Sequence, residues 1–167
     1  MRSVEDELLP EEMEILNRLN NNPIDFSAMK VCTHLYWATQ RMRNKMEQKV
    51  LSEYNLSWTA FSILYDLWIW DSMETRKLAQ SEGVTVATIS SIANTLERKE
   101  LCKREVDPND RRLVRLRITD KGKQVIQELY PQFNKGESQV VAGLSEEQQK
   151  TLTEMLRLII RNIDQIE

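Results

Sequence analysis

Between Thr85 and Arg98 the sequence places Thr85, Ala87, Thr88, Ser90, Ser91, Asn94, Thr95 and Arg98. At about 100° per residue of an α-helix, Ala87, Ser91, Asn94 and Arg98 centre one face, flanked by Thr88, Ser90 and Thr95. Ile89, Ile92, Ala93 and Leu96 fall on the opposite face. An ordinary solvated helix carries Glu and Lys pairs. This face carries short hydroxyl and amide side chains almost without acid. Short side chains let a helix backbone approach the floor of a DNA major groove, where Ser, Thr and Asn can hydrogen-bond base edges and Ala87 could meet a thymine methyl. The chemistry is therefore non-covalent reading of a duplex, with Thr85 also suited to cap the helix.

A second group lies just downstream. Asp107-Pro108-Asn109-Asp110-Arg111-Arg112 reads as a loop with arginines at its tip. Leu101 to Val106 and Val114 to Ile118 flank it, and both alternate with the period of strands. A two-stranded ribbon with a basic tip beside a helix-turn-helix is a winged helix. Its arginines suit a minor groove, where negative potential concentrates. Asp110, two residues before Arg112, could hold that guanidinium in one pose.

The charge distribution is uneven. The chain carries a formal net charge of −3. Residues 1–26 hold two basic and seven acidic side chains, residues 98–121 nine basic and five acidic, and residues 145–167 three basic and five acidic. A basic stretch between acidic ends fits a protein that offers one surface to phosphate. It also fits an ordinary solvated face.

Enzymatic chemistry has little to work with. His34 is the single histidine, and there is neither a glycine-rich phosphate loop nor a metal-ligand cluster, so no catalytic residue, metal or cofactor is predicted. Cys32 and Cys102, the two cysteines, suit reduced intracellular thiols better than a disulfide framework. The acidic N-terminus offers no ordinary secretory signal, and no apolar run approaches the roughly 18 residues of a membrane span. The expectation is a cytoplasmic protein with no membrane partner.

These residues need elements to position them. With 167 residues, 41% hydrophobic and 29% charged, the chain can bury an ordinary core, and four glycines and four prolines leave little room for an all-β architecture. Leu8, Leu9, Met13, Ile15, Leu16 and Leu19 form a weak helical pattern closed by Asn20-Asn21-Asn22-Pro23. Asp25 or Ser27 can cap a second helix running to about Tyr54. Its inner positions Ala28, Cys32, Leu35, Thr39, Met42 and Met46 form a heptad-like seam suited to another long helix. Ser57 can cap a third helix carrying Phe61, Leu64, Tyr65, Leu67 and Trp68. Asp71-Ser72-Met73 reads as a short connection to a brief helix from Thr75 to Glu82, and Gly83 supplies the turn into the helix capped by Thr85. Near the end, Ser145-Glu146-Glu147-Gln148 is a capping box. It precedes a stripe of Leu152, Leu156, Ile159, Ile163 and Ile166, widened by Met155 and Ile160. Apolar helices near both ends suggest a dimer interface built from the termini.

The fold expected is mainly α with a small two- to three-stranded antiparallel wing: a winged helix-turn-helix at 56–121 inside a helical dimerisation region at 27–55 and 122–167, behind an acidic extension at 1–26.

Leu78-Ala79, Gly83-Val84, Leu96-Glu97-Arg98-Lys99-Glu100-Leu101 and Asp107-Pro108-Asn109-Asp110-Arg111-Arg112 occur in order and run on to Leu116-Arg117-Ile118-Thr119-Asp120-Lys121-Gly122. Together they resemble the pattern of the MarR family of bacterial and archaeal regulators, densely over about 56–122 and in outline over 27–165. The resemblance implies a homodimer with one winged helix per subunit, bound to a pseudo-palindromic double-stranded DNA operator, usually as a repressor. Arg112 matches the family's wing-tip arginine and Asp110 its supporting acid. Glu74 stands where the family often has a Thr or Ser cap, and the acidic extension is longer than in many members.

The resemblance also implies release of DNA by a small anionic or phenolic effector, for which Trp37, Trp58, Trp68 and Trp70 offer aromatic surface or serve simply as core and interface fillers. Val31-Cys32-Thr33-His34-Leu35-Tyr36 resembles the segment carrying the peroxide-sensing cysteine of some members, with Tyr36 one turn from Cys32. Against this, the second supporting tyrosine would fall near Met46 or Glu47, and a small residue on the seam would pack as Cys32 does. A winged helix serving protein contacts is a further alternative.

Overall fold

In the computed structural model, residues 9–19, 24–106 and 113–166 are described. They divide into two units, 1–44 and 45–167. The first unit contains α1 (Pro10–Leu19) and most of α2 (Phe26–Lys49). Asp25 caps α2, its Oδ1 accepting from the Ala28 amide at 2.9 Å. Glu12 of α1 is buried and accepts from the Leu9 amide at 2.8 Å, with His34 Nε2 at 3.7 Å. The second helix ends at Lys49, short of Tyr54; Leu51–Tyr54 winds instead as a 3-10 turn that Asn55 stops in the left-handed conformation. Along the seam, Met46 is buried, Leu35 and Met42 are half-buried, and Ala28, Cys32 and Thr39 are exposed.

The second unit is built on α3 (Trp58–Trp70), α4 (Thr75–Glu82), α5 (Val86–Arg98), α6 (Asp120–Val140) and α7 (Glu146–Ile163), with a small sheet. Ser57 caps α3 by accepting from the Ala60 amide at 3.2 Å. The core gathers Ile63, Leu64 and Leu67 of α3, Leu78 of α4, Ile89 and Leu96 of α5, and Ile126 and Leu129 of α6, all fully buried. Trimming any of these leucines to alanine would cost about 2–5 kcal/mol.

The sheet has three antiparallel strands in the order β1 (Ser72–Glu74), β3 (Val114–Ile118), β2 (Cys102–Val106). The segment read as a connection is thus in part a strand, with Ser72 opposite Arg117 and Glu74 opposite Arg115. On the other side of β3, Cys102 faces Ile118 and Val106 faces Val114. One sheet face carries Leu116 and Ile118 into the core; the other carries Ser72, Glu74, Lys103, Glu105, Arg115 and Arg117.

The capping box at Ser145 forms with both of its hydrogen bonds, and α7 follows. No residue of α7 is buried in the single chain, and Leu152, Met155, Leu158, Ile160 and Ile163 are exposed. Ile166 lies beyond the helix end at Ile163 and so does not extend its stripe. Among the described residues no helix is long and apolar enough to cross a membrane.

Candidate nucleic-acid interface

The helix-turn-helix is set by two local devices. Gly83 adopts φ 62° and ψ 32°, the left-handed conformation that glycine adopts without steric cost, and turns the chain sharply out of α4. Thr85 then starts α5, its Oγ1 accepting from the Thr88 amide at 3.1 Å. The Thr85 and Thr88 hydroxyls also lie 2.9 Å apart, so both are held in place.

Burial separates the two faces of α5. Ile89, Ala93 and Leu96 are fully buried, and Ile92 is half-buried. Thr85, Ala87, Thr88, Ser91, Asn94 and Arg98 are exposed, with Ser90 and Thr95 half-buried at the edge. Arg98 Nη2 donates to Thr95 Oγ1 at 3.2 Å. The residues singled out on this helix therefore share one accessible side, anchored through the other side to the core. Asp110, Arg111 and Arg112 lie outside the described residues.

The basic stretch behaves differently from its charge count. Lys103 pairs with Glu105 at 3.1 Å, Arg104 with Glu97 at 2.5 Å, Arg115 with Glu74 at 3.5 Å and Lys121 with Glu100 at 2.7 Å. Arg117 pairs with Asp71 and with Glu105. Lys99 Nζ donates to the carbonyls of Tyr54 and Asn55 at 3.3 and 2.8 Å. On the sheet's outer face Arg115 stands between Glu74 and Glu105, and Arg117 stands between Ser72 and Lys103. Among the described residues of 98–121, Lys103, Arg104, Arg115, Arg117 and Lys121 each meet a carboxylate of the chain, which fits an ordinary solvated face for these five side chains. The carboxyls show it: Lys123 and Arg117 hold Asp71 below the usual carboxylate range, Arg117 and Lys103 do the same to Glu105, and Lys121 to Glu100.

Arg104 is the site residue that strand periodicity passes over. Its backbone amide donates to Glu97 Oε1 at 2.8 Å and Nη1 to Glu97 Oε2 at 2.5 Å. Nη1 also reaches Asn94 Oδ1 at 2.7 Å, and Nη2 the Ser90 carbonyl at 2.6 Å. A signal is present, since Arg104 shares strand parity with Cys102 and Val106. An arginine on that side needs acceptors.

Cys32 and Tyr36 are both exposed on α2, with no hydrogen bond between them among the described residues. Cys102 opens β2 in the core, where burial, followed by the charge of Glu97, pushes its thiol up to about 11. Trp58 and Trp68 join Phe61, Tyr65, Tyr130 and Phe133 in a ring cluster between α3 and α6, with Phe61 and Phe133 stacked at 4.3 Å. Trp37 meets the His34 ring edge-on, and Trp70 is 68% exposed. Among the described residues no group of His, Cys, Asp and Glu is placed to hold a metal ion.

A sequence profile of the MarR family matches residues 56–114. The chain is 49% identical over 160 residues to YwaE of Bacillus subtilis (strain 168), an uncharacterized helix-turn-helix-type transcriptional regulator, covering 94% of each chain. It is 28% identical over 136 residues to MgrA of Staphylococcus aureus, likewise a helix-turn-helix-type transcriptional regulator, covering 81% of this chain and 91% of that one. Among solved structures, the MarR family regulator Sco3205 of Streptomyces coelicolor in complex with DNA superposes with a TM-score of 0.74 at 21% identity, over 85% of this chain and 92% of that one. The S. aureus MepR–DNA complex gives 0.69 at 24%, over 78% and 96%.

Proposed function

The chain belongs to the MarR family of winged helix-turn-helix transcriptional regulators, and from that premise we propose that it is a homodimeric repressor of a pseudo-palindromic operator, released by a small-molecule effector. The observation that carries the reading is α5. One side is fully buried at Ile89, Ala93 and Leu96, and the other exposes Ala87, Thr88, Ser91 and Asn94 without an acidic side chain. Such a helix can lie in a major groove with its backbone close to the bases. Arg111 and Arg112 supply the adjacent minor-groove contact, and Asp110 orients Arg112.

The dimer is supported by α7, whose apolar residues are exposed in the single chain. Two copies place two α5 helices on half-sites about 10 bp apart centre to centre. Effector release draws on the exposed aromatic surface at Trp70. The test is selection of duplexes by the full chain from a randomised pool. An enriched inverted repeat bound by two chains supports the reading, and a pool that stays random overturns it.

A further inference from the structure

We propose that Arg104 is a positioning residue for base recognition, holding the side-chain amide of Asn94 so that Asn94 reads a hydrogen-bond acceptor on a base edge. The inference rests on the DNA-reading role of α5 and adds to it a residue from β2. Arg104 reaches Ser90, Asn94 and Glu97, spaced by four and three along one flank of α5. A guanidinium only donates hydrogen bonds, so the end of the Asn94 amide that faces Nη1 at 2.7 Å has to be its oxygen. The NH2 group is then the end turned away from Arg104, on an exposed residue of the helix's accessible side.

This orientation has a consequence for sequence preference. An unrestrained asparagine can read adenine with both ends, accepting from N6 and donating to N7. Here Oδ1 is already engaged by Arg104, and the remaining capacity is chiefly that of a donor. Asn94 therefore selects a purine N7 or another edge acceptor, and Arg104 decides which end of it faces the groove. Glu97 completes the device. Its carboxylate grips both the guanidinium and the Arg104 backbone amide, fixing the guanidinium where Asn94 meets it. Lysine at 104 would keep a charge for Glu97 but lacks the planar fork that spans several acceptors at once.

The experiment uses the full chain and the duplex it enriches from a randomised pool. Each purine of one half-site is replaced in turn by its 7-deaza analogue, which removes the N7 acceptor. One position is expected to show an affinity loss of about tenfold. Asn94→Ala and Asn94→Asp should abolish that loss, the aspartate because it leaves Arg104 an acceptor but removes the donors. Arg104→Lys should cut it to about twofold or less without changing the salt dependence of binding. In the free wild-type protein, the Asn94 side-chain amide should be ordered on the nanosecond timescale by NMR relaxation, a readout that requires no folded variant. A penalty unchanged in Arg104→Lys, a penalty that survives Asn94→Ala, or a freely moving Asn94 amide overturns the positioning role alone. A pool that stays random overturns the DNA-reading role as well.

Discussion

The carbonyl oxygen of Leu101 occupies the space that a Cβ on Gly122 would need. The same carbonyl accepts from the Thr119 amide at 3.1 Å, while the Thr119 hydroxyl donates to the Glu100 carbonyl at 2.6 Å and accepts from the Gly122 amide at 3.0 Å. The start of α6 is thereby fastened to the residues that lead from α5 into β2. Gly122→Ala has to push these apart, at a cost of about 1–3 kcal/mol. A lower denaturant midpoint with an unchanged slope would show it; an alanine variant as stable as the parent would contradict the packing.

Asp71, Glu100 and Glu105 are all held below the usual carboxylate range by neighbouring cations. A carboxyl with a depressed folded pKa stabilises the fold fully above its unfolded pKa and loses that contribution as pH falls through the folded value. The melting temperature should therefore stay level from pH 7 to about 5 and fall below about 4. Asp71→Asn should make the fall shallower, and high salt should reduce the contribution because all three carboxyls remain solvent-accessible. A decline already under way between pH 7 and 6 would contradict the assignment to these carboxyls.

What is legible in the sequence is local chemistry. Ser57, Thr85 and Ser145 each cap the helix that follows, because a short hydroxyl needs only an amide two or three residues on. Gly83 turns the chain where its neighbours cannot. The buried face of α5 follows from periodicity alone. The strand Ser72–Glu74 does not announce itself, since three residues carry no period and its partners Arg115 to Arg117 lie more than 40 residues away. The ion pairs are hidden for a related reason: counting charges along the chain does not reveal that Arg117 meets Asp71, or that Glu105 stands between Lys103 and Arg117. Arg104 escapes notice because its three acceptors lie on a different element, across a turn.

The proposed dimer rests on the apolar residues that α7 exposes in the single chain. Met155→Glu with Ile163→Glu places charge on side chains that are exposed in the single chain, so the fold of each chain should survive. Sedimentation should then show the monomer mass, and operator affinity should drop by at least about tenfold because a monomer engages one half-site instead of two. A double variant that sediments as a dimer would move the interface elsewhere.

In the function proposed above, Arg112 reaches the minor groove while α5 lies in the major groove. Arg112→Ala should weaken operator binding by roughly tenfold or more and flatten its salt dependence by about one counterion for each phosphate no longer neutralised. The dimer should remain intact by sedimentation. Unchanged affinity would remove the wing tip from the interface.

Sequence reading through α5 is tested by comparing equilibrium binding of the full chain to its selected inverted repeat and to a shuffled duplex of the same composition across a salt series. Binding to the repeat should be at least about 10³-fold tighter near physiological salt, with affinity for both duplexes falling steeply as salt rises. Equal affinity for the two duplexes at every salt concentration would contradict a sequence-reading role.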